Sequence, residues 1–184
     1  PVLDLLGHRA FVRRVIADWA QQRVASCSSD GYLNVYDTRS GTAIWELPHD
    51  RCCDAMDVSF DAGLALCKPL QKPMKLWDLK TGRTVKEFAI PGHKPSWMKV
   101  NWDTQIVCTG ADDKVKFWDL ETGEVSKTID CHHHLTQCLD VDWDAGLLLT
   151  GSVDAHLKLW DIETQSFMKR FLQGTRCLTR VLFH

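Results

Sequence analysis

The side chains able to do chemistry are few. Ser26, His8 and Asp30 are a nucleophile, a base and an orienting acid, the residue types of a hydrolase triad. A triad also needs an exposed nucleophile and an oxyanion hole, and no GxSxG elbow presents Ser26. Cys131-His132-His133-His134, followed by Cys138, offers the thiolate and imidazole ligands that zinc takes, at a spacing that matches no standard zinc module. Cys52-Cys53 has the form of a redox pair, although free cysteine ordinarily behaves as a small buried hydrophobe. The sequence holds no GxxxxGK[ST] phosphate loop, no GxGxxG and no HExxH.

The stretch around Ser26 and Asp30 is not unique. SCSSDGYLNVYD (Ser26 to Asp37) recurs as TGADDKVKFWD (Thr109 to Asp119) and as TGSVDAHLKLWD (Thr150 to Asp161). CKPLQKPMKLWD (Cys67 to Asp78) is a damaged copy. Tyr36, Trp77, Trp118 and Trp160 are 41, 41 and 42 residues apart. Val15, Val58, Val100 and Val141 are each followed three residues later by an acid, Asp18, Asp61, Asp103 and Asp144, which reads as repeated turn chemistry closing the innermost strand of each repeat. The runs that follow (VAS, LALC, IVCT, LLLT) are nearly all apolar, as strands buried on both faces should be. After a tight turn the alternating segments YLNVY, MKLW, VKFW and LKLW form the third strand. Gly41, Gly82 and Gly123 then mark turns before the outer strands, and Gln165 replaces that glycine in the last repeat. Trp102 and Trp143 share a repeat position with Phe60 and read as core; Trp97 falls where Val12, Ala55 and Cys138 stand.

A period of about 40–45 residues ending in Trp-Asp is the signature of a four-stranded propeller blade. The chain therefore resembles the WD-repeat β-propeller family, an all-β fold, with complete blades over about 11–47, 53–88, 96–129 and 137–171 and partial blade strands at 2–6 and 177–183. The resemblance implies a structural network in which an entrance histidine bonds to a turn aspartate and to a Ser or Thr that meets the Trp indole. It maps onto His8, Asp30, Ser26 and Tyr36; His93, Asp112 (or Asp113), Thr109 and Trp118; and His134, Asp154, Thr150 and Trp160. A group repeated at three matching positions is a fastener rather than a catalytic site. The second repeat departs from it: Cys67 replaces the hydroxyl, Gln71 the aspartate, Pro69 and Pro73 flank the turn, and His49 stands two residues further from its strand. Its turn is either a binding surface released from fastening or a decayed repeat packed by its neighbours.

Composition bounds the function. With 45% hydrophobic and 25% charged residues in 184, the chain is ordinary globular protein, and a net charge of −2 gives no basic footprint for nucleic acid. No run of 18 apolar residues predicts a membrane span, and the eight cysteines do not space as a disulfide framework, which favours a reduced cytoplasmic or nuclear compartment. The family resemblance implies a non-enzymatic interaction scaffold without cofactor or bound metal, presenting rim loops to protein partners. Arg9, Phe11, Arg51, Lys94 and Trp97 are the candidate contacts on the entrance face. Tyr36-Asp37-Thr38-Arg39 and Trp77-Asp78-Leu79-Lys80 resemble the Trp-Asp-x-Arg/Lys ending of substrate receptors for cullin-4 ubiquitin ligases, which makes Arg39 and Lys80 contacts of an alternative reading. A metal-binding or hydrolytic enzyme is the third. Four complete blades imply a piece of a longer propeller, a ring closed by a second copy, or a small self-closed ring, and the first is the favoured expectation.

Overall fold

Alternating strands joined by short polar turns can only pair with their neighbours. The computed structural model, which describes residues 4–49, 53–69, 72–89, 97–172 and 182, contains four such meanders. The first comprises β1 (Val12–Asp18), β2 (Arg23–Ser28), β3 (Tyr32–Asp37) and β4 (Ala43–Pro48). The second comprises β5 (Cys53–Ser59), β6 (Leu64–Pro69), β7 (Met74–Asp78) and β8 (Arg83–Phe88). β9 (Trp97–Asn101), β10 (Ile106–Ala111), β11 (Lys114–Asp119) and β12 (Val125–Asp130) form the third. β13 (Thr136–Asp142), β14 (Leu147–Ser152), β15 (His156–Asp161) and β16 (Phe167–Leu172) form the fourth. Each is a four-stranded antiparallel blade in chain order, the blade of an all-β propeller. Asp4, Leu5 and Leu6, expected in a partial strand, join none; of 177–183 only Leu182 lies among the described residues.

The chain divides into two compact units, Pro1–Pro91 and Gly92–His184, each holding two blades. In the first, Ala25, Cys27, Leu33, Val35 and Leu47 of blade one meet Met56, Val58, Ala65, Cys67 and Trp77 of blade two. In the second, Cys108, Val115, Phe117 and Ile129 of blade three meet Leu139, Val141, Leu148 and Trp160 of blade four. Trp143 stands edge-on to Phe117 there, with ring centroids 6.3 Å apart. Each large side chain so covered contributes about 1.5–3 kcal/mol. Polar ties repeat at matching positions in the two units: the Trp45 indole donates to the Leu79 carbonyl at 2.6 Å, and the Lys127 ammonium to the Ile162 carbonyl at 3.0 Å.

The register corrects one expectation. Ala17, not Val15, pairs where Val58, Val100 and Val141 pair, opposite Val24, Ala65, Val107 and Leu148 respectively. The turn caps are accordingly Asp18, Ser59, Asn101 and Asp142, which accept backbone N–H groups of Gln21, Ala62, Thr104 and Ala145. Asp103 and Asp144 are exposed beside these caps, and exposed Asp61 accepts the Gln21 amide at 2.6 Å. Trp19 therefore joins Phe60, Trp102 and Trp143 in one repeat position, and it is 69% exposed whereas the other three are half-buried. The equivalent of Trp97 is Arg14, not Val12: Trp97 pairs with Gly110 as Arg14 pairs with Cys27. In the last turn Gln165 adopts the left-handed conformation, φ 55°, that Gly41, Gly82 and Gly123 take in the other blades.

Candidate functional site

The buried polar groups are clearest in blade four. His132 places Nδ1 2.9 Å from Asp154 Oδ2 and Nε2 2.9 Å from Thr150 Oγ1, and the Trp160 indole donates to the same Oγ1 at 3.0 Å. The chain Trp N–H to Thr hydroxyl to imidazole to carboxylate satisfies every member when the ring is neutral. Burial holds His132 below the ordinary histidine value, against the pull of Asp154. Burial alone would raise Asp154, but hydrogen bonds from the His156 N–H and the His132 ring outweigh it and keep the carboxyl ionised below its usual range.

His134, the residue assigned to this role from the sequence, is exposed and only its carbonyl takes part, accepting from Ser152 Oγ at 3.4 Å. The bulge between Thr136 and Cys138 adds a residue at the start of β13, so the ring that reaches Thr150 lies earlier in the chain. The signal was present: His8 stands 18 residues before Ser26 and 22 before Asp30, and His132 stands 18 before Thr150 and 22 before Asp154.

In blade one His8 Nδ1 lies 3.0 Å from Asp30 Oδ2 and Nε2 lies 2.8 Å from Ser26 Oγ. Burial would raise Asp30 as well, but the Arg9 N–H, the His8 ring and the Tyr32 N–H outweigh it and hold its carboxyl low. Tyr36 does not bond to Ser26; its phenol oxygen accepts from the Asn34 amide at 2.9 Å. In blade three the Trp118 indole donates to Thr109 Oγ1 at 2.7 Å, while Asp112 is exposed at φ 51° and lends only its carbonyl, to the Thr136 N–H. His93 lies outside the described residues.

These histidines do a second task. The His132 N–H donates to the Asp113 carbonyl in the turn of blade three at 3.1 Å, and the His49 N–H to the Gly31 carbonyl in the turn of blade one at 2.8 Å. His49 stands four residues before its strand, as His8 and His132 do, so the expected offset is absent. Blade two closes its turn differently. The buried Lys68 ammonium donates to the carbonyls of Pro69 at 2.8 Å and Lys72 at 2.5 Å, which fastens a turn flanked by prolines; Gln71 lies outside the described residues. The Trp77 indole N–H faces the Cys67 sulfur, a weaker acceptor than the hydroxyl oxygens that its counterparts meet. Cys67→Ser, nearly isosteric, is expected to give that indole a stronger acceptor and raise stability by about 1 kcal/mol. An unchanged urea midpoint would contradict this.

The chemistry weighed from the sequence assembles no site among the described residues. Ser26 and Thr150 are buried at 5% and 0% exposure with their hydroxyls bonded to imidazole, so neither faces a substrate. The Cys-His-His-His segment splits between buried Cys131 and His132 and exposed His133 and His134, and no group of three metal-ligating side chains occurs among the described residues. Burial pushes the Cys131 thiol up to about 12. Buried Cys53 is raised well above an ordinary thiol by Cys27, Cys67 and its burial, and Cys52 lies outside the described residues. Of the rim candidates, Arg9 and Phe11 are exposed, the latter at 84%, as are Arg39 and Lys80. Trp97 is half-buried and packs against the core of the second unit, so part of its ring is structural. Arg51 and Lys94 lie outside the described residues.

Comparisons agree with this geometry. The chain is similar to the computationally designed Ika8 protein in its crystal structure, with a TM-score of 0.81 and 21% identity over 97% of this chain and 54% of that one. It thus spans about half the length of that structure. No curated protein sequence matches the chain. The family model described as "WD domain, G-beta repeat" matches residues 1–37, 82–119 and 123–161, more than half of the chain, and passes over most of the blade fastened by Lys68. The chain belongs to the WD domain, G-beta repeat family.

Proposed function

We propose that the protein is a non-enzymatic interaction platform that presents the entrance loops of its blades to a protein partner. Propellers of this family are generally protein-interaction scaffolds. The observation that carries the reading is a pair of matched residues: Phe11 and Leu135 each stand immediately before the first strand of a blade, three residues after the clip histidine, and are 84% and 54% exposed. The clip fixes each loop's base in the core while an apolar side chain projects, and a large exposed apolar group on a fixed support is the chemistry of an interface anchor. Arg9 and Arg13 flank Phe11 on the exposed side and suit a polar rim.

The double variant Phe11→Ala, Leu135→Ala is expected to lose at least about tenfold in partner recovery from a lysate of the native cell, by the usual weight of apolar anchors. Its thermal midpoint should stay within about 2 °C of the parent, because exposed substitutions are near neutral. Recovery equal to the parent's would remove both side chains from the interface.

A further inference from the structure

One register position on the third strand of each blade is occupied by Asn34, Lys75, Lys116 and Lys158, opposite Ser26, Cys67, Thr109 and Thr150. Each lysine lays its ammonium against the signature indole, 5.9 Å from the Trp77 centroid, 5.7 Å from Trp118 and 5.8 Å from Trp160. Lys158 also donates to the Cys131 carbonyl, just before the clip histidine, at 2.7 Å. Lys75 pairs with Glu87 of the adjoining outer strand at 3.6 Å. In three blades the flank holds an ammonium on an aromatic face, with an entrance carbonyl beside it in blade four and a fourth-strand carboxylate beside it in blade two.

Blade one keeps that environment without the cation. Asn34 is far shorter than lysine, and a recess of about 270 Å³ opens there, lined by Gly7, Arg9, Asp30, Tyr32, Asn34 and Glu46. Gly7 precedes His8 as Cys131 precedes His132, and Glu46 pairs with Asn34 as Glu87 pairs with Lys75. Asn34 is 1% exposed; its amide nitrogen donates to Tyr36, and its Oδ1 is buried with no partner among the described residues. Glu46 is exposed and forms no ion pair with a described residue. Gly7, at φ 145°, keeps the space open: a Cβ there would stand 3.0 Å from Asn34 Nδ2, 3.2 Å from Tyr36 Oη and 3.7 Å from Glu46 Oε1. Of the charged groups lining the recess, Asp30 is taken by His8 and the Arg9 N–H, Arg9 is exposed, and Glu46 remains for a ligand.

We propose that this recess binds a primary ammonium group, the side chain of a lysine from a protein partner, at the Glu46 carboxylate and the Gly7 carbonyl. The partner's lysine takes the place that the other blades fill from their own third strands. Glu46 stands where Glu87 pairs with Lys75, and Gly7 where the Cys131 carbonyl accepts from Lys158, and such acceptors suit the donors of an ammonium. As a docking point the site rests on the interaction-platform reading; as an ammonium site it does not.

The test is an NMR titration of the full 184-residue chain with Nα-acetyl-lysine methylamide and with its Nε-acetylated analogue. Saturable shifts at Gly7 and at the Asn34 side-chain amide are expected with the first compound. Binding should weaken by about tenfold or more with the acetylated analogue and in Glu46→Gln, whose exposed position leaves folding intact. Asn34→Lys should abolish binding and raise the melting temperature, since the chain then supplies its own ammonium. Absence of saturable shifts, equal binding of the two compounds, or binding unaffected in both variants would overturn the proposal. If the lysine compound binds as expected while partner capture is unchanged in Glu46→Gln, the ammonium site stands and its role in docking falls. If capture depends on Phe11 while the compound does not bind, the platform stands and the site falls.

Discussion

His132→Ala is expected to lower the unfolding free energy by about 3–4 kcal/mol, the largest effect of a polar substitution in this chain. Removing the ring leaves Thr150 Oγ1 and the Asp154 carboxylate without their shared partner and opens a cavity in the flank of the blade. Asp154→Ala should cost less, because the ring stays in place, and Asp103→Ala, at an exposed turn, should fall within about 0.5 kcal/mol of the parent. Urea unfolding of the three variants checks the ranking; equal midpoints for His132→Ala and Asp103→Ala would contradict it. The same ring sets a pH dependence. With the folded value below the ordinary 6.5, the unfolded chain binds a proton that the folded chain refuses, so stability is full above that value and declines as pH falls from it toward the folded value. Asp154, held below 3.8 when folded, adds a further loss only beneath that value. Between about pH 6.5 and pH 5 the slope of stability against pH should be shallower in His132→Ala than in the parent.

Gly82→Ala should destabilise by about 3 kcal/mol through two separable causes. Its backbone sits at φ 68°, where an L side chain costs about 1 kcal/mol. A Cβ there would also come within 2.4 Å of the Trp45 ring, whose indole ties β4 to the Leu79 carbonyl of the next blade. The turn and the tie cannot both survive. Gly146→Ala is the control, because it shares the φ of 67° and a Cβ there meets nothing within 4 Å. Guanidinium melts should therefore separate the two by about 2 kcal/mol. Equal losses would mean that Trp45 yields freely and contributes little to the packing of blade one on blade two.

What the sequence made legible, and what it did not, follows from where each residue's constraint lies. Trp77, Trp118 and Trp160 each close a third strand whose partners are local, so their spacing located every blade. Val15 misleads because a valine with an aspartate three residues later happens to stand two positions before Ala17, the residue that pairs as Val58, Val100 and Val141 do. His134 was preferred to His132 because adjacent histidines are indistinguishable by type; only the distance to Thr150, set by the path of the entrance loop, separates them. The recess in blade one was invisible for a different reason. Asn34 is unremarkable by itself, and its meaning depends on where Lys75, Lys116 and Lys158 place their ammonium groups in three dimensions.

The entrance histidine of a blade donates its backbone N–H to the turn of the blade before it, at Gly31 from His49 and at Asp113 from His132. Synthesis runs in one direction, so this arrangement orders assembly in time. A nascent blade leaves the ribosome with an unsatisfied turn carbonyl, and the group that closes it emerges 18 residues later in one case and 19 in the other, at the head of its successor. Until then the finished sheet can still fray at that corner. Within each pair of blades the repeat thus acts as a ratchet on the growing chain, in which the second blade seals the one already made.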